Sequence, residues 1–207
     1  MIRAALLTDG SSDQILKWPL RWLVERCTVD PVEVDWVDVR GRVSPPVNLA
    51  ARIKAALQIS ECQLLFVHRD AERQDPELRY VEISEAIGSA VGHVCVVPVR
   101  MQEAWLLHDE NRLREAAGRP TSNEPLGLPS LDRVESLADP KSCLHDALRK
   151  ASGAKGRRAK DFRPEAAAYR LAELIEDWTP LRRLRAFRRV EDDTRSALAR
   201  LGCSVRE

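Results

Sequence analysis

No apolar run in this chain approaches the roughly 20 residues that cross a bilayer, and the opening MIRAALLTDG offers only AALL ahead of Thr8 and Asp9. A cytosolic, cytoplasmic protein without membrane contact is therefore expected. Sulfur and imidazole are sparse. The five cysteines (Cys27, Cys62, Cys95, Cys143 and Cys203) are odd in number, far apart, and show neither CxxC nor CxxH spacing. That excludes a zinc ribbon and a disulfide scaffold, and leaves them as small hydrophobes in a reducing compartment. Of the four histidines, His93, His108 and His145 have no partner at ligand spacing. The chain also lacks GxxxxGK[ST], so it does not hydrolyse nucleotides by that mechanism. It shows no internal repeat and no low-complexity segment.

What it has is charge, unevenly placed. The net charge of +1 conceals 12 Lys/Arg against 17 Asp/Glu in residues 1–110, and 21 against 15 in the remainder. An acidic half joined to a basic half allows a metal and a polyanion to be held by different parts of one molecule. With 207 residues, 44% of them hydrophobic, the chain has enough apolar surface for a substantial core.

The first half alternates strand and helix signals. AALLTD (4–9), VEVDWVDV (32–39), CQLLFVH (62–68) and HVCVVPV (93–99) read as strands, the second with one wet face, near a sheet edge. Between them lie helices over about 13–27, 47–59 and 76–91, with Pro19 kinking or restarting the first and Asp75-Pro76 capping the third. Pro45 and Pro46 end the loop before the second helix. From residue 101 the pattern is helical (101–118, 140–152, 164–177 and 180–202), broken by a Pro/Gly/Ser loop over 119–130. This spacing predicts an α/β fold: a parallel sheet of about four strands with helices on both faces, over 1–109, and a helical, basic region over 110–207 packed on it.

In such sheets binding residues gather at the carboxyl ends of the strands. Asp9 ends the first strand and Asp13 falls in the first turn of the next helix. Asp70 and Glu72 follow the third strand, and Glu103 follows the fourth. Carboxylates from three strand ends repel one another unless a cation sits among them, and hard oxygen donors without a His/Cys set select Mg²⁺ or Mn²⁺. The structural alternative gives each carboxylate a local role, as a turn at Asp9-Gly10, a first-turn charge at Asp13, and solvated pairs with Arg69 and Arg73. The combination favours the metal. His68 is open between general base, metal ligand and structural hydrogen-bonder. In the second half, Arg149, Lys150, Lys155, Arg157, Arg158, Lys160 and Arg163 stand against Asp161 alone, with Gly153 and Gly156 making part of the stretch a flexible loop. Such a cluster suits the phosphate backbone of DNA or RNA. Arg182, Arg183, Arg185, Arg188 and Arg189 could do the same, or be a solvated helix face paired with Glu173, Glu176, Glu191, Asp192 and Asp193.

The segments LLTDGSSD, FVHRDAER and VVPVRMQEAWLLHD, in this order and spacing, resemble a Toprim-like domain, the fold of topoisomerases, bacterial primases and nucleases of the overcoming-lysogenization-defect (OLD) type. More closely, the chain looks like a small prokaryotic Toprim-related family often encoded beside ATPases and in phage-defence loci. That family's motifs fall on Arg69-Asp70-Ala71-Glu72 and on Arg100, Glu103, Trp105 and Asp109. The resemblance implies a Mg²⁺- or Mn²⁺-dependent nuclease, a hydrolase of DNA or RNA phosphodiesters, with an ATPase partner. It implies Asp9, Asp70 and Glu72 as metal ligands, and Asp13 and Glu103 as further ligands or proton acceptors. Two positions depart from the pattern: Asp9 stands where glutamate is usual, and Glu72 where aspartate is. A second register sets His68 and Asp70 on the Asp-x-Asp pair; the first aligns Arg69. Tyr80 and Tyr169 lie in no motif of a topoisomerase nucleophile, which favours hydrolysis over strand passage. The main alternative is a non-catalytic Toprim-like scaffold that docks on a partner protein. A phosphatase or phosphotransferase acting on a small substrate is a third, against which the basic surface argues mildly.

Overall fold

A computed structural model describes residues 1–43 and 48–206; Pro45 and Pro46 lie outside the described residues. Four strands, β1 (Ile2–Leu7), β2 (Val32–Trp36), β3 (Leu64–His68) and β4 (Gly92–Val96), form one all-parallel sheet in the order β2-β1-β3-β4. β3 is buried along its whole length, as a central parallel strand must be. The wet face of VEVDW belongs to β2, which lies at an edge.

Helices α1 (Lys17–Cys27), α2 (Leu49–Ile59) and α3 (Pro76–Ile87) are the three crossovers. A 3₁₀ segment, Ser12–Leu16, runs directly into α1. Pro19 sits within the first turn of α1, where its missing N–H leaves no intrahelical acceptor unsatisfied, so the helix restarts rather than kinks. α3 stops four residues before the predicted end, because Gly88 turns away at φ 54°. The helical stretch predicted over 101–118 divides into a 3₁₀ segment, Gln102–Leu106, and α4 (Glu110–Ala116), with Asp109 as the cap that starts the second piece. There follow α5 (Leu131–Val134), α6 (Pro140–Ser152), α7 (Arg157–Asp161), α8 (Pro164–Leu174) and α9 (Arg185–Arg200). Gly153 closes α6 in the left-handed region, and α7 occupies part of the stretch read as a flexible loop.

Period-2 alternation sends the strand residues to two layers. Ala5, Leu7, Leu65, Val67, Cys95 and Val97 meet Ile53 and Ala56 of α2 and Tyr80, Ile83 and Ile87 of α3. Ala4, Leu6, Val34, Leu64, Phe66, Val94 and Val96 meet a larger layer, in which Leu20 and Leu23 of α1 share one core with Leu113, Leu148, Leu171, Phe187 and Leu198 from the helical region. Phe187 of α9 stands edge-on to Trp105 with ring centroids 5.2 Å apart, one of the aromatic contacts that join the two regions. All five cysteines are free thiols, and burial pushes Cys27 and Cys95 up to about 11. No helix among the described residues is long and apolar enough to cross a membrane.

This order fixes where a site can form. The chain leaves β1 through α1 to β2 on one flank, and leaves β3 through α3 to β4 on the other, with α1 and α3 on opposite faces. The neighbouring ends of β1 and β3 therefore frame a topological switch point, where open α/β sheets bind their ligands.

Candidate functional site at the strand ends

The centre of this crevice is His68, the last residue of β3. By alternation it continues the face of Leu64 and Phe66, and it is 1% exposed. Its Nε2 lies 3.1 Å from Asp70 Oδ1, and its Nδ1, which has no hydrogen-bond partner, lies 3.7 Å from Asp13 Oδ2. Burial pulls the imidazole toward neutrality, but the Asp70 hydrogen bond and charge, joined by Asp13 and Asp9, outweigh it and raise its pKa.

Asp13 is held from several sides. Its Oδ2 accepts the Gly10 N–H at 2.7 Å, and its Oδ1 accepts Ser12 Oγ at 2.8 Å and Gln102 Nε2 at 2.7 Å. Glycine at position 10 leaves room for that approach: a Cβ there would stand 3.3 Å from Asp13 Oδ2, a tight contact. The Gln102 backbone N–H donates to Asp70 Oδ1 at 3.2 Å, so one residue after β4 fixes both aspartates. Next to it, Glu103 is 5% exposed and its Oε2 has no partner, while Oε1 lies 3.8 Å from Lys141 Nζ of α6. Burial raises the Glu103 pKa, helped by the charges of Asp70 and Asp13 and opposed by Lys141.

Asp13 and Asp70 thus flank His68 and are tied together by Gln102, with Glu103 coupled to both by charge, whereas Asp9 and Glu72 make their contacts elsewhere. Asp9 turns to the other side of the β1 end, where Arg52 Nη1 reaches Oδ1 at 2.9 Å and Arg69 Nε reaches Oδ2 at 3.1 Å. Arg69 also pairs with Glu82 at 3.1 Å. These residues, with Arg40, line a cleft of about 520 Å³. Glu72 is exposed, at φ 53°, and its N–H donates to the carbonyl of Arg100, itself at φ 65°. The left-handed turn at Glu72 takes the chain out of the extended geometry on which its parallel placement with Asp70 rests. Gln102, Arg52 and Lys141 had no motif to mark them. For His68, the period of LLFVH was the available signal.

The basic side chains of residues 149–163 are all exposed. Arg149 and Lys150 end α6, Lys155 follows the Gly153 cap, and Arg157, Arg158 and Lys160 lie on α7; Arg149 pairs with Asp146 and Arg157 with Asp161. The arginines of the last helix segment are more committed: Arg182 makes a two-point pair with Glu191, Arg183 pairs with Asp132, and Arg189 with Glu77.

No family model, no curated protein and no solved structure matches this chain.

Proposed function

We propose that the chain is a Toprim-type, divalent-metal-dependent phosphodiester hydrolase of DNA or RNA, working at the β1/β3 crevice. The observation that carries this is the convergence of Asp13, His68, Asp70 and Glu103 from three strand ends, with a buried Glu103 oxygen that no protein donor meets. Burying ionisable groups and leaving one oxygen unpartnered costs free energy that packing does not require, and such clusters mark sites of chemistry.

The donors fit a hard cation in part. Both protein hydrogen bonds to the Asp70 carboxylate fall on Oδ1, and Glu103 Oε2 is unpartnered. Among the described residues no group of three or more His, Cys, Asp or Glu is arranged to hold a metal. A cation held by Asp70 and Glu103 would draw its other ligands from water and phosphate oxygens, the usual habit of Mg²⁺, and would supply Lewis acidity and a lowered water pKa. The chain's own residues do the rest. Gln102 orients Asp13 and Asp70, and His68 offsets their mutual repulsion. A cytoplasmic setting agrees with five free thiols, and an ATPase partner belongs to the same proposal.

A different observation favours the non-catalytic scaffold: Asp9 is consumed by two arginines and Asp13 by three donors, the satisfaction a purely structural cluster needs. Calorimetric titration with Mn²⁺ and Mg²⁺ separates the two. The hydrolase reading expects binding by the wild type and by Glu72→Ala, loss in Asp70→Asn and in Glu103→Gln, and metal-dependent cleavage of DNA or RNA. A folded wild type that binds neither ion, alone or with an oligonucleotide present, sinks it and leaves the scaffold.

A further inference from the structure

Beside the crevice lies a second recess, of about 350 Å³, between the strand ends and the helical region. Ser11, Ile15, Lys141, His145 and Tyr169 are among its walls, with the carboxylates of Glu103 and of Glu165, which lies 3.9 Å from His145 Nδ1. Glu103 belongs to both spaces: it is electrostatically coupled to Asp70 and Asp13, and it lines the recess, with its Oε1 3.8 Å from Lys141 Nζ. Ser12, also in the wall, donates to Asp13. Whatever occupies the recess therefore abuts the reacting centre proposed above.

The lining suits one nucleotide unit. Ile15, Ala166 and Ala168 give an apolar wall for a sugar or base, and the volume lies in the range of sites for single small molecules, about 300–1,000 Å³, too small for a double helix. The Lys141 ammonium is 3.8 Å from Glu103, beyond a hydrogen bond, and its side chain is 44% exposed, so its donors remain available to a phosphate. Lys141, His145 and Arg149 are spaced four apart and share one side of α6, with the exposed Arg149 about 12 Å along the helix from Lys141. The larger cleft at Arg40, Arg52 and Arg69 is a weaker anion site, because Asp38, Asp9 and Glu82 already answer those charges.

We propose that this recess takes the nucleotide adjoining the scissile phosphate of a single-stranded DNA or RNA, with that nucleotide's phosphate on Lys141, and that the strand continues along the same side of α6 to Arg149. The assignment rests on the hydrolase reading for which phosphate is scissile, but the binding track is measurable without chemistry.

The test is fluorescence anisotropy with short labelled single strands of DNA and of RNA in EDTA, so that nothing is cut, over a range of salt. Lys141→Gln is expected to weaken binding about fivefold at low salt and to flatten the log K against log salt slope by about 0.7. Lys141→Arg restores both, and Arg149→Gln flattens the slope by about 0.7. A Lys141→Gln protein with wild-type affinity and slope overturns the track, as does a wild type that binds no single strand at low salt or binds a duplex equally well. The hydrolase reading fails by a separate result, a wild type that binds single strands but never cleaves them with Mg²⁺ or Mn²⁺.

Discussion

His68 lies between two carboxylates and has a raised pKa, so it binds its proton more tightly in the folded state than in the unfolded chain. The stability this contributes is complete below the unfolded value near 6.5 and is lost as pH rises through the higher folded value. Replacing His68 by Ala strands Asp13 and Asp70 and is expected to cost about 3 kcal/mol at pH 6, roughly 6–12 °C in Tm by calorimetry, the gap from wild type narrowing at higher pH. Glu103 has the same sign: a raised carboxyl pKa means stability present in acid and lost as pH rises through the folded value. The Tm of Glu103→Gln relative to wild type should therefore become more favourable between pH 4 and pH 8, even as the variant loses metal binding. These roles were only partly legible in the sequence. A carboxylate after a strand announces itself, but its direction depends on the loop: Asp9 and Asp70 both follow strands, yet one meets arginines from 43 and 60 positions away and the other meets His68.

The longer helices and all four strands could be read from apolar periodicity and their caps, because each buries a regular stripe in one of two layers. Pro140–Ser152 matches α6 at both ends, since Asp139-Pro140 and Gly153 are physical start and stop signals. α5 is too short to show a period, and α7 has no buried residue, so neither carried a pattern. Asp139 fixes the first turn of α6, where its carboxylate accepts the Ser142 N–H at 2.8 Å and Ser142 Oγ at 2.8 Å, and these bonds hold its pKa low. A lowered carboxyl pKa gives stability that is present above the unfolded value and lost as pH falls through the folded one. Asp139→Ala should therefore melt below wild type at pH 7, with the difference fading in strong acid, and should weaken single-strand binding by loosening the turn that carries Lys141.

The cut after residue 109 that separates sheet from helical region in the sequence does not separate their cores. One apolar cluster holds Leu20, Phe66 and Val96 together with Leu144, Leu171, Phe187 and Leu198. A fragment of residues 1–109 leaves that face of the sheet in water and is expected to be aggregated or to lack near-ultraviolet circular dichroism, whereas a cooperative melt of the isolated fragment would show the sheet to be self-sufficient. The sheet was legible because it is built from local patterns. The crevice was less so, because Gln102 reaches Asp13 and Asp70 from far along the chain, and Lys141 comes beside Glu103 only once α6 has docked. That docking also sets a clock. α9 is the last helix and supplies Phe187, Val190 and Leu198 to the layer over β4 and α1. At about 5–20 residues per second, a ribosome that has just released β4 spends a further 5–20 s or so before these side chains arrive. Throughout that interval the nascent chain presents the bare apolar face of a parallel sheet, a natural client for holding chaperones.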